Sequence, residues 1–340
     1  MYRRGSGENA LPIIDLHCDT LVNLIDPANP SDFEFIGFNQ QTELYAASGV
    51  SLADNNVHLS LSRMQPFDWC QCMAIFISDR FIGETAWNFY RQVKRFFDEQ
   101  LIVHYDQVTQ AHEPADIWRA FAQNKSAAML TIEGGSFLQN SLTHIDDIAA
   151  DGVKMLTLTW NRQNAIASGV SATGGLSNFG REVVKTLEEH RIIVDVSHLN
   201  DQSFADVNAA ATRPYLASHS NSRAICDHPR NLTDNQFKAL CANGGIVGLN
   251  YYTDFLVAEK RPVTPTDILR HLDHWLELGG EKHVALGSDF DGADMPEWLS
   301  SCDKVAVLYD HVATEFGRQI AGNLFFWNAY RFFSQQEIIG

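Results

Sequence analysis

Histidines and carboxylates gather at the ends of short apolar runs in this chain of 340 residues. The run at 13–17 leads through Asp15-Leu16-His17-Cys18-Asp19, and the run at 127–133 ends on Glu133 before a pair of glycines. The runs at 192–198, 215–219 and 284–289 end on His198, His219 and Asp289. Three imidazoles with carboxylates suit Zn²⁺ or a similar divalent ion better than Mg²⁺ or Ca²⁺, which prefer shells made only of oxygen. The spacing in His17-x-Asp19 predicts two side chains on one side of a strand, both able to reach one ion. Glu133 has an oxygen to offer to each of two metals. A pair bridged in this way would hold a hydroxide at neutral pH and polarise a carbonyl at the same time. Asp289 is then left as general base and acid beside that water.

Each residue also has a plainer reading. A histidine ending a buried strand is commonly a hydrogen-bonded core residue, and an acid before glycine is commonly a turn former. Phase raises the set above that background, because all its members would lie at one rim of one barrel. Other clusters lack that support. His271-x-x-His274 has helical spacing but reads as surface and core-edge. His112-Glu113-Pro114 reads as loop, and Cys70-Gln71-Cys72, with no second pair at zinc-ribbon spacing, as packing at a strand entry.

The elements that must position these residues follow from the apolar pattern. Eight strand-length runs begin near residues 13, 73, 127, 153, 192, 215, 246 and 284. Continuous apolar strands suit a parallel sheet covered by helices. Segments 87–100, 178–190 and 266–278 have helical periodicity, the last preceded by a capping signal at Thr264-Pro265-Thr266-Asp267. The alternation predicts an α/β fold, a (β/α)₈ TIM barrel, with a doubly wound open sheet as the alternative. In a barrel the run ends converge on the carboxyl-terminal face, where active sites of this fold sit. With no repeat or linker, residues 1–340 read as a single barrel domain. It carries a long insertion at 21–71, with a turn cluster at 26–30, and a helical closure from Pro296 onward.

Composition excludes some partners. The chain has 25 Lys+Arg against 42 Asp+Glu, a net charge of −17, which argues against a nucleic-acid or anionic membrane surface. Six cysteines in so long a chain do not read as a disulfide framework. Residues 1–9 lack the apolar run of a signal peptide, residues 335–340 are too short and polar for a lipid-anchor tail, and no run reaches membrane-span length. The expectation is a cytoplasmic protein.

At these residues the sequence resembles the membrane dipeptidase (renal dipeptidase) family, zinc-dependent enzymes within the metal-dependent amidohydrolase barrels. The likeness runs from about residue 11 to about 294 and rests on phrases such as 15–20, 132–135, 156–159, 195–198, 218–220, 228–233 and 286–292, in order. It implies two zinc ions, with His17 and Asp19 on the first, His198 and His219 on the second, and Glu133 bridging both. It implies hydrolysis of a dipeptide bearing a free C-terminal carboxylate, held by Arg230, through a metal-bridging hydroxide. Asp289 would move the proton from the attacking water to the leaving amine. A homodimer is implied by family habit. The alternative is a related binuclear hydrolase acting on an N-acyl amino acid, lactam or lactone. One position departs from the pattern. Where the renal enzymes carry a substrate-binding histidine after the Leu-Thr-Leu-Thr phrase, this chain has Trp160. Indole offers one N–H donor and no positive charge. Trp160 is thus expected to form a pocket wall or a neutral substrate contact, with Asn161, Arg162 and Asn164 close enough to compensate.

Overall fold

Parallel strands alternate with helices along the described residues, 10–25 and 50–338, of the computed structural model. The signal-peptide reading of residues 1–9 and the turn cluster at 26–30 lie outside the described residues, as does part of the 21–71 insertion. The strands are β1 (Pro12–Asp15), β2 (Asp68–Phe76), β3 (Val108–Gln110), β4 (Ser126–Glu133), β5 (Met155–Thr157), β6 (Ile193–Asp195), β7 (Leu216–Ala217), β8 (Ile246–Leu249) and β9 (Val284–Leu286). Hydrogen bonding runs β2-β1-β9-β8-β7-β6-β5-β4, and β4 pairs back onto β2 from Cys70↔Ala127 to Phe76↔Glu133. That last ladder closes an eight-stranded barrel and removes the open-sheet alternative. β3 was not expected from the sequence. It pairs only with the first residues of β4, through Val108↔Ser126, while β5 takes the far end through Glu133↔Thr157.

The strands are buried on both faces, so they read as unbroken apolar runs. Inside the barrel, Ile14, Cys70, Cys72, Met129, Met155, Ile193, Leu216 and Ile246 share one cluster with Phe326, Phe332 and Phe333. Outward residues such as Trp69, Leu130, Leu156 and Val247 pack with Phe97, Leu187 and Leu272 of the helical layer. β2 begins five residues before the apolar run at 73, so Cys70 and Cys72 are buried free thiols within the strand, not packing at its entry.

The helix Asn328–Ile338 lies across the amino-terminal mouth. Asn328 Nδ2 donates to Val284 O (2.7 Å), Gln336 Nε2 donates to Pro214 O (3.0 Å), and Lys154 pairs with Glu337 (3.2 Å). Each partner stands at the start of a strand. Burying Phe326, Phe332 and Phe333 there contributes about 2–3 kcal/mol per ring. With that end stoppered, only the carboxyl-terminal mouth is left for a site.

The helix Pro265–Glu277 supports that mouth from outside. Its N-cap is Thr264, reciprocally bonded with Asp267, and Pro265 takes the first helical position. His271 on this helix is fully buried, not core-edge: its Nδ1 accepts from Ser222 N–H (3.1 Å), so its Nε2 donates to Leu256 O (3.0 Å). His274 turns away to Asp234 (2.9 Å), and the two histidines share no ligand site. Donors from Arg261 and Thr264 outweigh burial and hold the Asp267 carboxyl below the usual carboxylate range. A carboxyl depressed by folding stabilises above its unfolded value and loses that contribution as pH falls towards its folded value. Asp267→Ala is therefore expected to cost about 1–2 kcal/mol in urea unfolding at pH 7. The gap between the variant and the parent should narrow below about pH 4. A gap unchanged between pH 7 and pH 3 would show that the carboxylate does not carry the effect.

Candidate active site

Two buried carboxylates end strands and splay the chain that follows them. Asp15 closes β1, and its Oδ1 accepts from Ser288 N–H (2.8 Å) beyond β9 and from His17 N–H (3.4 Å). Asp195 closes β6, and its Oδ1 accepts from Ser218 N–H (2.9 Å) beyond β7 and from Ser197 N–H (3.0 Å). Each satisfies amides that the ending ladder leaves free. The candidate residues accordingly lie just past the strands. His17 and Asp19 follow β1, corrected from a position within it, and the isolated bridge Cys18↔Phe290 holds them. His198 and Asp289 adopt left-handed φ values of 68° and 64°, costly for residues with a β-carbon. A β-carbon at Gly292 would run into the Asp19 and Asp289 carboxylates, so only glycine lets the loop pass there.

These loops bring six candidates together. His17 Nε2 lies 3.4 Å from Asp19 Oδ2, 3.4 Å from Glu133 Oε2 and 3.8 Å from Asp289 Oδ1. The other Glu133 oxygen, Oε1, lies 2.7 Å from His198 Nε2 and 3.7 Å from His219 Nε2. The His17 and His219 rings stack with centroids 3.9 Å apart. Two sets of ligand atoms converge closely enough for an ion: His17, Glu133 and His219, and His17, Asp19 and Asp289.

Hydrogen bonding decides which ring nitrogens are bare. Ser218 Oγ gives its one proton to Asp195 Oδ2 (2.6 Å), so it accepts from His219 Nδ1–H (2.7 Å). His198 Nδ1–H donates to Asn161 Oδ1 (2.9 Å). Both Nε2 atoms then carry lone pairs, and they face each other at 2.9 Å beside Glu133. Burial, with Arg230 and His17 nearby, keeps both rings well below the usual histidine pKa, so no proton separates them. His17 Nε2 and Asp19 Oδ1 are buried with no hydrogen-bond partner. Burial, reinforced by Asp19, pushes Glu133 up to about 8. Burial pulls the His17 pKa down, but Asp19 and Glu133 outweigh it and hold the value well above that of free histidine. Facing lone pairs and crowded carboxylates fit a bound cation, and the mixed nitrogen and oxygen donors fit zinc chemistry.

A cavity of 690 Å³ opens over this cluster, lined by Asp19, Glu133, Trp160, His198, Arg230 and Asp289 among others. Arg230 is buried just ahead of the helix at 234–242. Its Nε has no hydrogen-bond partner, its Nη2 makes one long bond to His219 O (3.4 Å), and its guanidinium lies 5.4 Å from the Phe255 ring centre. Burial lowers its pKa to about 10, which leaves it charged at neutral pH. Asp289 Oδ2 accepts from Asn250 Nδ2 (2.9 Å), and burial raises its pKa. Trp160 stands edge-on to Phe76 (5.1 Å) and 6.3 Å from the His198 ring.

Sequence reasoning missed Asn161 as a partner of His198, Asn250 as a partner of Asp289, and the Asp15 and Asp195 braces. A signal existed for the braces, since Asp15-x-His17 and Asp195-x-x-His198 repeat an acid before a candidate histidine. The amides carried none, because an asparagine in a loop has too many other uses.

The chain matches the description "Membrane dipeptidase (Peptidase family M19)" over residues 8–339. It is 38% identical over 213 residues to an uncharacterized protein in the pqqA 5'region of Klebsiella pneumoniae, covering 59% of this chain and 79% of that one. It is 33% identical over 201 residues to an uncharacterized dipeptidase of Schizosaccharomyces pombe, covering 56% and 48%. The chain thus spans about half of the yeast protein. Its fold is similar to the crystal structure of dipeptidase AC, a family M19 metallo peptidase, at TM-score 0.84 and 25% identity over 96% of this chain and 99% of that one. A metallo peptidase from Rhodobacter sphaeroides, liganded with a phosphinate mimic of the dipeptide L-Ala-D-Ala, has the same fold at TM-score 0.84 and 24% identity, over 96% and 100%. Among the described residues no helix is long and apolar enough to cross a membrane. A buried cluster of imidazoles and carboxylates that fits a cation, on a closed barrel matched to one family nearly end to end, places this chain in the membrane dipeptidase family, peptidase family M19, as a metal-dependent dipeptidase.

Proposed function

We propose that the chain hydrolyses dipeptides bearing a free C-terminal carboxylate, with two zinc ions held on either side of Glu133. The observation that carries this reading is the division of one carboxylate between two donor groups. Oε2 faces His17, beside Asp19, and Oε1 faces His198 and His219. When bound, the ions supply a water of lowered pKa and positive charge for the developing oxyanion.

The remaining roles belong to side chains of this chain. Arg230 is a buried guanidinium with no carboxylate within 4.0 Å among the described residues, and a planar carboxylate matches its fork. It holds the substrate by its C-terminus and fixes where the peptide bond lies. Asp289 accepts the proton of the attacking water at Oδ1 and returns it to the leaving amine. Asn250 keeps Oδ2 engaged, so that the free oxygen faces His17. Burial raises the Asp289 pKa, which makes its carboxylate a stronger base for that water. Trp160, braced by Phe76, walls the cavity and brings no charge to the oxyanion.

Purified protein should carry zinc near two ions per chain and cleave a dipeptide panel. A chelator should abolish turnover and added Zn²⁺ restore it; turnover indifferent to the chelator would end the metal reading. Asp289→Asn should lower kcat on the order of 10²- to 10⁴-fold with metal content retained. Loss of metal in parallel would recast Asp289 as a ligand. Arg230→Met should raise KM for dipeptides about 10- to 100-fold and leave cleavage of dipeptide amides little changed. Equal effects on acid and amide would favour a substrate without a terminal carboxylate.

A further inference from the structure

We propose that His228 is a second donor to the substrate's terminal carboxylate, beside Arg230. This rests on the reading of Arg230 as the carboxylate anchor and extends it. The two residues stand on one tight turn, His228-Pro229-Arg230-Asn231, in which Asn231 N–H donates to His228 O (2.9 Å). Within it the Arg230 N–H donates to His228 Nδ1 (3.2 Å). A backbone N–H can bond only to a ring nitrogen that carries a lone pair. The neutral imidazole therefore holds its proton on Nε2, where it can only donate. That Nε2 has no partner among the described residues, although the half-buried ring lines the same cavity as Arg230.

Phe255 sets the direction of both groups. Its ring lies 4.6 Å from the His228 ring and 5.4 Å from the Arg230 guanidinium carbon, so one aromatic side chain supports the pair. The donors are complementary in kind. A carboxylate presents two oxygens with about four lone-pair directions, more than one guanidinium edge occupies. A neutral N–H adds a hydrogen bond to that anion without adding a second buried charge. Burial, with Arg230 beside it, also lowers the His228 pKa, which favours the neutral ring. The chemistry selected is a free carboxylate; an amide in its place has one carbonyl oxygen for Arg230 and would set its N–H donors against His228.

His228→Phe keeps a ring on Phe255 and removes the donor. It is expected to raise KM for a dipeptide about 10-fold while kcat and metal content stay within about two-fold. The same variant should leave unchanged the KM of the matching dipeptide amide, or its inhibition constant if the amide is not cleaved. His228→Gln, which restores an N–H near the position of Nε2, should recover most of the lost affinity. A KM unchanged for the dipeptide, or shifted equally for acid and amide, overturns the proposal. Loss of kcat and metal together also overturns it, by making His228 a structural support. If Arg230→Met discriminates acid from amide while His228→Phe does not, only the second donor fails. If neither discriminates, the carboxylate anchor fails with it.

Discussion

One imbalance of charge governs the mouth of this barrel. Asp19, Glu133 and Asp289 are buried around a single imidazole, that of His17. Carboxylates removed from water at this separation repel, and the strain shows in Glu133, pushed up to about 8. Two neutral histidines add facing lone pairs on the far side of Glu133. A protein that needed only stability would place apolar residues there. Keeping such a cluster requires more positive charge than the His17 ring alone supplies within it, since among the described residues the nearby Arg230 points no nitrogen at a carboxylate within 4.0 Å. Two divalent ions would more than offset the three carboxylates.

The rest of the fold holds that unfavourable arrangement still. The apolar interior and the helix Asn328–Ile338 stopper one end of the barrel, so the polar groups have only the other end to occupy. There, Asp15 and Asp195 stitch the ending strands to Ser288 and Ser218 and let the chain turn inward. Left-handed backbone at His198 and Asp289 persists because neighbouring hydrogen bonds fix it: Val170 N–H to His198 O (2.9 Å), and Asp289 N–H to His17 O (3.3 Å). The imidazoles are oriented from outside, by Asn161 and by Ser218 backed by Asp195, which leaves Nε2 of each facing the centre.

Much of this was legible in the residues. Eight apolar runs mark the eight barrel strands because parallel strands buried on both faces must be apolar throughout. β3 left no apolar run because Val108-Thr109-Gln110 holds a single buried apolar residue, its other two being only half-buried. The strand-end acids and histidines stood out because one rim collects the ends of all strands. The strand limits were misread, since His17 and Asp19 continue the apolar phase past the last ladder bond, while Cys70 and Cys72 precede the run that marks β2. A pattern of apolar residues records burial, and burial outlasts hydrogen bonding at one end of a strand and precedes the apparent run at the other.

The sequence alone determined the α/β alternation, the family likeness and the chemical kinds of group available to the site, because periodicity, residue type and order are local properties of the chain, while closure of the sheet rests on the ladder from β4 back to β2. The tertiary structure alone decided how those groups relate. It divided the two oxygens of Glu133 between histidines that come from β1, β6 and β7. It left Arg230 buried with no carboxylate paired to it among the described residues, and it turned His271 and His274 to unrelated partners although their spacing resembles that of a metal pair. Tautomers, lone pairs and unpaired charges depend on which atoms lie within about 3 Å, and residues tens of positions apart reach that distance only when the barrel closes.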